Sequence, residues 1–224
     1  MNDKLHALII GATGATGTEL INELLINTNF SRISVFGRRV PDIESKKLFK
    51  YKIDFSELDK IKKLLSGDIL FSALGTTLKQ AGGKKQQFLV DYTYQYEFAK
   101  IAVENGTKNY SLVSSTGADK NSFFFYPKIK GELEESVKKL PFNKIQIFQP
   151  PTLIRQPALA RKGEKIGIKV FNKLNKIGFF KSQKPLSVKI LAKIIVDAAL
   201  SKNSDRIEIF STQDIAQLNN NYTK

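Results

Sequence analysis

The stretch LIIGATGATGTEL constrains the fold of this chain more than any other. Leu5 to Ile10 form an apolar run, Gly11, Gly14 and Gly17 follow at three-residue intervals, and Leu20, Ile21, Leu24 and Leu25 recur at helical spacing. The pattern predicts strand, turn and helix. A glycine at the turn can take φ > 0, the next lets backbone amides approach a pyrophosphate, and the third lets the helix sit close to the sheet. The helix start then offers its N–H groups to an anion. Gly11, Thr13, Gly14, Thr16 and Gly17 are therefore the expected dinucleotide-binding residues, set against a purely structural tight turn. No Walker lysine follows the last glycine, which argues against a P-loop triphosphatase.

Further strands are predicted at Arg32 to Phe36, Leu48 to Ile53, Ile69 to Leu74, Asn109 to Val113 and Lys144 to Phe148. Helical patterns at Glu57 to Leu65, Phe88 to Glu104 and Glu132 to Lys139 lie between them. Strands separated by helices imply a parallel sheet covered on both faces. The expected fold class is α/β, a doubly wound parallel sheet of the Rossmann type. Past Pro150 the regularity weakens: 161–167 is polar and 170–180 mixes apolar residues with lysine. Val188 to Leu200 reads as an apolar-faced helix, Arg206 to Phe210 as an edge strand, and Thr212 and Asp214 lie near a final helix start. The expectation is one domain spanning 1–224, with a cofactor core over about 1–150 and a small substrate-side elaboration over 151–224.

Composition excludes several classes of function. The chain of 224 residues has no cysteine and one histidine, His6, so a disulfide framework, thiolate catalysis and a multi-histidine metal site are ruled out. No metal is expected. No stretch reaches the roughly 18 consecutive apolar residues of a membrane helix. The amino terminus lacks the apolar helix and cleavage site of a secretion signal, which gives cytoplasmic as the expected location. The net charge of +15 could attract polyanions, but the lysines are spread along the chain rather than gathered on a reading helix. Nucleic acid is not expected as the main partner.

The end of the second predicted strand bears on cofactor choice. A free ribose 2′-hydroxyl usually meets a carboxylate there, whereas this chain has VFGRRV. Arg38 or Arg39 can pair with a 2′-phosphate, so NADP is the expected cofactor. Asp54 either meets the adenine or caps the helix beginning near Ser56. Leu74, Gly75 and Thr76, in the loop SALGTT at the carboxyl end of the sheet, are expected beside the cofactor, with Pro150 and Pro151 along the nicotinamide pocket.

Reducing a carbonyl leaves negative charge on oxygen, so the site needs a proton donor and hydrogen-bond donors. A tyrosine supplies the proton if a nearby cation lowers its pKa from about 10. Tyr126 and Lys130 have i, i+4 spacing, and Ser115 leaves the strand Asn109 to Val113. The competing reading makes Tyr126 one more packing aromatic after Phe123, Phe124 and Phe125.

The motifs GATGATG, GRR, LGTT, SSTGADK and KIKGELEE, with Tyr126 and Lys130, together resemble the short-chain dehydrogenase/reductase superfamily. They look most like its atypical branch that includes the Tat-interacting oxidoreductase proteins, over Leu5 to about Arg155. The resemblance implies an NADP-binding Rossmann core and casts Ser115, Tyr126 and Lys130 as the family's catalytic serine, tyrosine and lysine. Ser114 and Thr116 are the alternatives if the serine is offset by one. The expected activity is hydride transfer to or from a carbonyl, alcohol or sugar-like small-molecule substrate. The other readings are a nicotinamide-dependent epimerase and a non-catalytic NADP-binding module with a protein partner, and the chain is expected as monomer or homodimer. Pro127 departs from the family pattern: it predicts a helix that starts at the proline, with Tyr126 at its boundary.

Overall fold

The computed structural model describes residues 4–154, 185–203 and 205–222. Seven strands form one parallel sheet: β1 Leu5–Ile10, β2 Phe30–Gly37, β3 Leu48–Lys52, β4 Ile69–Ser72, β5 Asn109–Val113, β6 Lys144–Phe148 and β9 Ile207–Phe210. Their order is β3-β2-β1-β4-β5-β6-β9, so the chain reverses direction across the sheet between β1 and β4. In an open α/β sheet that switch point is where a crevice opens at the carboxyl ends of the strands. A short pair, β7 Leu153–Ile154 with β8 Leu186–Ser187, stands apart from the main sheet.

Alternating side chains on β1 explain why its last four residues, Ala7 to Ile10, are all apolar. Ala7 and Ile9 enter one core and Leu8 and Ile10 the other, all four fully buried. A strand covered on both faces has no solvent side on which to place a polar residue. On the first face, helix α1 (Ala15–Ile26) places Leu20, Ile21 and Leu24 with Leu191, Ala192 and Ile195 of α6 (Val188–Ala199). On the second, Phe98 and Ala102 of α4 (Tyr94–Glu104) and Leu133 and Val137 of α5 (Phe125–Val137) pack against Leu8, Leu70 and Leu112. The chain beyond Pro150 thus contributes α6 to the core and β9 to the sheet, and α7 (Thr212–Asn219) follows behind a Ser211–Asp214 capping box. The stretches 161–167 and 170–180 lie outside the described residues.

Three local readings change. The stretch expected as a helix from Glu57 to Leu65 is a 3₁₀ segment, Phe55–Leu64, with Leu65 as its C-cap, rather than an α-helix. The helix expected from Phe88 to Glu104 is composite: α2 (Leu78–Ala81) and α3 (Lys84–Phe88) lead into a π-helical turn, Leu89–Thr93, which passes into α4. Most relevant to function, α5 starts at Phe125 and not at Pro127. The first four N–H groups of a helix have no partner within it, so a proline costs no hydrogen bond at the third position as at the first. The ladder begins at the next residue, where the Lys128 amide donates to the Phe124 carbonyl at 3.1 Å. Tyr126 and Lys130 therefore share one continuous helix.

Candidate functional site

The glycine loop is fixed by close contacts that leave no room for a side chain. Gly11 has φ +83°, and a Cβ on it would stand 2.3 Å from the Ala73 carbonyl carbon, at the exit of β4. A Cβ on Gly17 would stand 2.1 Å from the Gly11 carbonyl oxygen. The first glycine therefore lets the β1 and β4 exits meet, and the third lets α1 start against the turn. No side chain caps the amino end of α1 at Gly14, and its first turn carries no acidic residue. An uncapped, glycine-opened helix start suits an anionic group, so the loop fits a dinucleotide pyrophosphate.

A cavity of about 590 Å³ opens on this loop, well within the range of small-ligand sites. Gly11, Thr13, Gly14 and Thr16 line it from the turn and α1, and Arg38 and Arg39 from the end of β2. Leu74, Gly75 and Thr76 line it from the loop after β4, and Val113, Ser114, Tyr126 and Lys130 from β5 and α5. Arg38 and Arg39 are exposed and make no ion pair among the described residues.

Four expected cofactor residues stand elsewhere. Gly17 packs beneath the turn rather than on the cavity. Asp54 caps the 3₁₀ segment, accepting from the Ser56 amide at 2.9 Å and the Ser56 hydroxyl at 2.7 Å. Those two bonds, the amide first, hold its carboxyl below the ordinary carboxylate value. Pro150 and Pro151 are buried, and the Pro150 carbonyl accepts from the Thr116 amide at 3.1 Å. From that part of the chain it is Leu153, on β7, that reaches the cavity.

The serine at the cavity is Ser114. Its hydroxyl donates to the Glu134 carboxylate, a buried pair, and the Gln149 side-chain amide donates to the same carboxylate at 3.0 and 3.1 Å. Ser115, next along the chain, has a buried hydroxyl without a hydrogen-bond partner among the described residues and does not line the cavity. Thr116 is exposed and also lies off the cavity.

Lys130 lies at the floor, 2% exposed, with its ammonium donating to the Val113 carbonyl at 3.3 Å. Burial pushes its pKa below the ordinary lysine value, while the charges of Asp91 and Glu134 push back. Tyr126, one turn earlier, is 40% exposed and faces the cavity from its open side. The loop carrying TGADK is pinned to this helix: the Asp119 amide donates to the Pro127 carbonyl at 3.1 Å, and a Cβ on Gly131 would stand 2.2 Å from the Lys120 nitrogen.

Sequence reasoning passed over Asp91 and Glu134. Both carry a signal in retrospect: Asp91 and Gln95 sit at i, i+4 on the same helical stripe as Phe98 and Ala102, and Glu134 follows Lys130 by four. A polar residue on a buried face is the informative case.

No protein-family profile matches the chain. The rat protein HTATIP2 is 32% identical to it over 215 residues, covering 94% of this chain and 87% of that protein. FMP52, a protein of Kluyveromyces lactis named as mitochondrial, is 33% identical, covering 96% of this chain and 98% of that protein. The mitochondrial names of the FMP52 proteins overturn the cytoplasmic expectation, whose ground, the lack of an apolar secretion helix, bears only on secretion and cannot separate cytosol from mitochondrion. Among solved structures, the Bordetella bronchiseptica enzyme WbmG in complex with NAD superposes with a TM-score of 0.70 at 14% identity, covering all of this chain and 80% of that one. A short-chain dehydrogenase family protein from Francisella tularensis superposes at 0.65 with 18% identity, covering 96% of this chain and all of that one. At such identities the structures establish the fold, that of the nicotinamide-dependent dehydrogenases and epimerases. The sequence relatives establish the family: the chain belongs to that of HTATIP2 and FMP52, and its motifs resemble those of the atypical short-chain dehydrogenases/reductases.

Proposed function

We propose that this protein is an NADP-dependent oxidoreductase acting on a carbonyl, alcohol or sugar-like small molecule. The observation that carries the reading is the single cavity that joins the glycine loop and Arg38–Arg39 at one end to Ser114, Tyr126 and Lys130 at the other. Gly11, Thr13, Gly14 and Thr16 would hold the pyrophosphate, Arg38 and Arg39 the ribose 2′-phosphate, and Leu74 to Thr76 the adjoining face. When bound, the nicotinamide supplies or accepts the hydride. Tyr126 donates the proton to the substrate oxygen, or takes it back in the reverse direction. Lys130 sits one turn away on the same helix and lines the same cavity, where a positive charge would stabilise the negative charge that proton transfer leaves on the tyrosine oxygen.

Ser114, rather than Ser115, serves in this reading as the serine of the site. Its proton is directed at Glu134, so its lone pairs are turned to accept from a substrate hydroxyl. The division into a cofactor core and a C-terminal substrate-side portion goes with the same proposal, as does the mitochondrial location stated in the FMP52 names. The test is turnover of NADPH by the purified protein across aldehydes, ketones and nucleotide sugars, with Tyr126→Phe alongside. Loss of at least 100-fold in kcat with unchanged NADPH affinity is expected. Binding of NADPH with no turnover of any substrate by the wild type supports a cofactor-sensing or protein-binding module instead, and product formed without net cofactor oxidation supports an epimerase.

A further inference from the structure

From β5, β7 and the loop after β4 the cavity is lined by Val113, Leu153 and Leu74, all apolar. A sugar seated there would bury several hydroxyls, each of which needs a hydrogen-bond partner. On this side of the cavity the described residues offer the side chains of Thr76 and Gln80, besides Ser114, Tyr126 and Lys130, which the chemistry already engages.

The apolar character continues outward at the opening. Leu153 is followed by Ile154, 44% exposed; Tyr126 is preceded by Phe123 and Phe124, both exposed; and Gln80 on α2 stands two residues from the exposed Leu78. Helix α3 meets the aromatic segment from the other side, with the Lys84 ammonium 5.5 Å from the centre of the Phe125 ring. Single exposed apolar residues are ordinary on a protein surface, whereas a set gathered at the mouth of a cavity marks a binding surface. Phe124 also departs from what its own helix asks for. It is the N-cap of α5 and supplies no capping side chain, where serine or asparagine would stabilise the helix.

A second copy of the chain is a poor occupant for this surface. Lys79, Lys84, Lys85, Lys120 and Lys128 stand exposed on the same two segments, 78–86 and 119–128, against one acidic residue, Asp119, so two such faces repel each other. A small molecule that enters the cavity carries no such penalty.

We propose that the substrate is a carbonyl or alcohol borne on an apolar chain, its reacting end at Tyr126 and its chain laid over Leu153, Ile154, Phe124 and Leu78. This substrate class rests on the reading of the cavity as an oxidoreductase site and narrows that reading away from sugars. The chain leaves water as it is seated, so recognition grows with its length, by up to about fourfold for each methylene fully buried.

The test uses the full chain with saturating NADPH and straight-chain aldehydes from butanal to octanal, with D-xylose as the sugar. In wild type kcat/KM is expected to rise about two- to fourfold for each added methylene, with octanal roughly 100-fold above D-xylose. Phe123→Ser/Phe124→Ser keeps the groups of the site and gives α5 a capping hydroxyl, so fold and NADPH affinity are retained while the rise flattens to below about 1.5-fold per methylene. Binding of the fluorescent amphiphile 11-(dansylamino)undecanoic acid to the NADPH-loaded protein reads the chain site without turnover, and it weakens roughly tenfold in the double variant. An equal slope in both proteins, or D-xylose reduced as well as octanal, overturns the proposal. So does a wild type that ignores the soluble amphiphile but binds phosphatidylglycerol vesicles or associates with itself through Phe123 and Phe124, since the rim is then a docking face. Amphiphile binding that the double variant loses, without reduction of any aldehyde, defeats the oxidoreductase reading and upholds the apolar-chain site.

Discussion

The Lys128 amide donates to the Phe124 carbonyl at 3.1 Å, closing the first turn of α5 around Pro127. Because the turn opens at Phe124, ahead of Tyr126, the tyrosine and Lys130 are one helical turn apart on an unbroken helix, and the proline does not separate them. Replacing Pro127 by alanine restores an N–H that has no partner in the helix and relieves the restriction on Tyr126, while freeing the unfolded chain. These effects oppose one another. Pro127→Ala is expected to change unfolding free energy by less than about 1 kcal/mol and to leave NADPH affinity unchanged, as read by denaturation and cofactor titration.

Gly131 is far less tolerant. A Cβ there would meet the backbone of Lys120 and Asp119 at 2.2 and 2.4 Å, and backbone cannot swing aside as a side chain can. Gly131→Ala is expected to destabilise the protein by about 1–3 kcal/mol and to push the 117–121 loop off α5. Chemical denaturation measures the loss, and amide exchange at Asp119, now bonded to the Pro127 carbonyl, reports the loop.

How far the sequence carries depends on whether a residue's neighbours are local. The glycine turn was legible because its spacing, flanked by strand and helix, already states the contacts at Gly11 and Gly17. The strands were legible because burial on both faces leaves only apolar residues from Ala7 to Ile10. The serine was not: along an extended backbone a shift of one residue turns the side chain to the opposite side, and only the position of Glu134 on α5 shows that Ser114 is the one facing the cavity. Asp91 escaped for the same reason, since its partners Thr76 and Lys130 lie 15 positions before it and well beyond it along the chain. The start of α5 was misplaced because a proline at the first helical position is the commoner arrangement, although the missing N–H is harmless throughout the first turn.

The two serines give a direct comparison. Ser114→Ala removes a hydroxyl that lines the cavity, and Ser115→Ala removes one that is buried away from it. The first, which removes an acceptor for the substrate hydroxyl, is expected to lower kcat by about 10-fold with NADPH affinity retained, and the second to change kcat by less than about threefold. Steady-state kinetics on any substrate that turns over makes the test.

Lys130 predicts how stability follows pH. Its folded pKa lies below the ordinary lysine value of 10.5 because of burial. Between the two values the unfolded chain binds more protons than the folded one, so the lysine's contribution to stability rises with pH across that window. Measured against Lys130→Met, wild type should gain stability as pH is raised toward 10.5, by at most about 1.4 kcal/mol per pH unit. Denaturation curves of both proteins at a series of alkaline pH values show it, and a flat or falling difference contradicts it.

The proposed function depends on the cavity that joins Arg38 and Arg39 to Tyr126 and Lys130. Titration of the wild type and of Arg38→Ala/Arg39→Ala with NADPH and NADH, followed by fluorescence, tests it most directly. Wild type should bind NADPH at least tenfold more tightly than NADH, and the double variant should lose that preference by weakening toward NADPH alone, by about 1.5–3 kcal/mol for each charged contact removed. Equal affinity of the wild type for the two cofactors, or binding of neither, would contradict it.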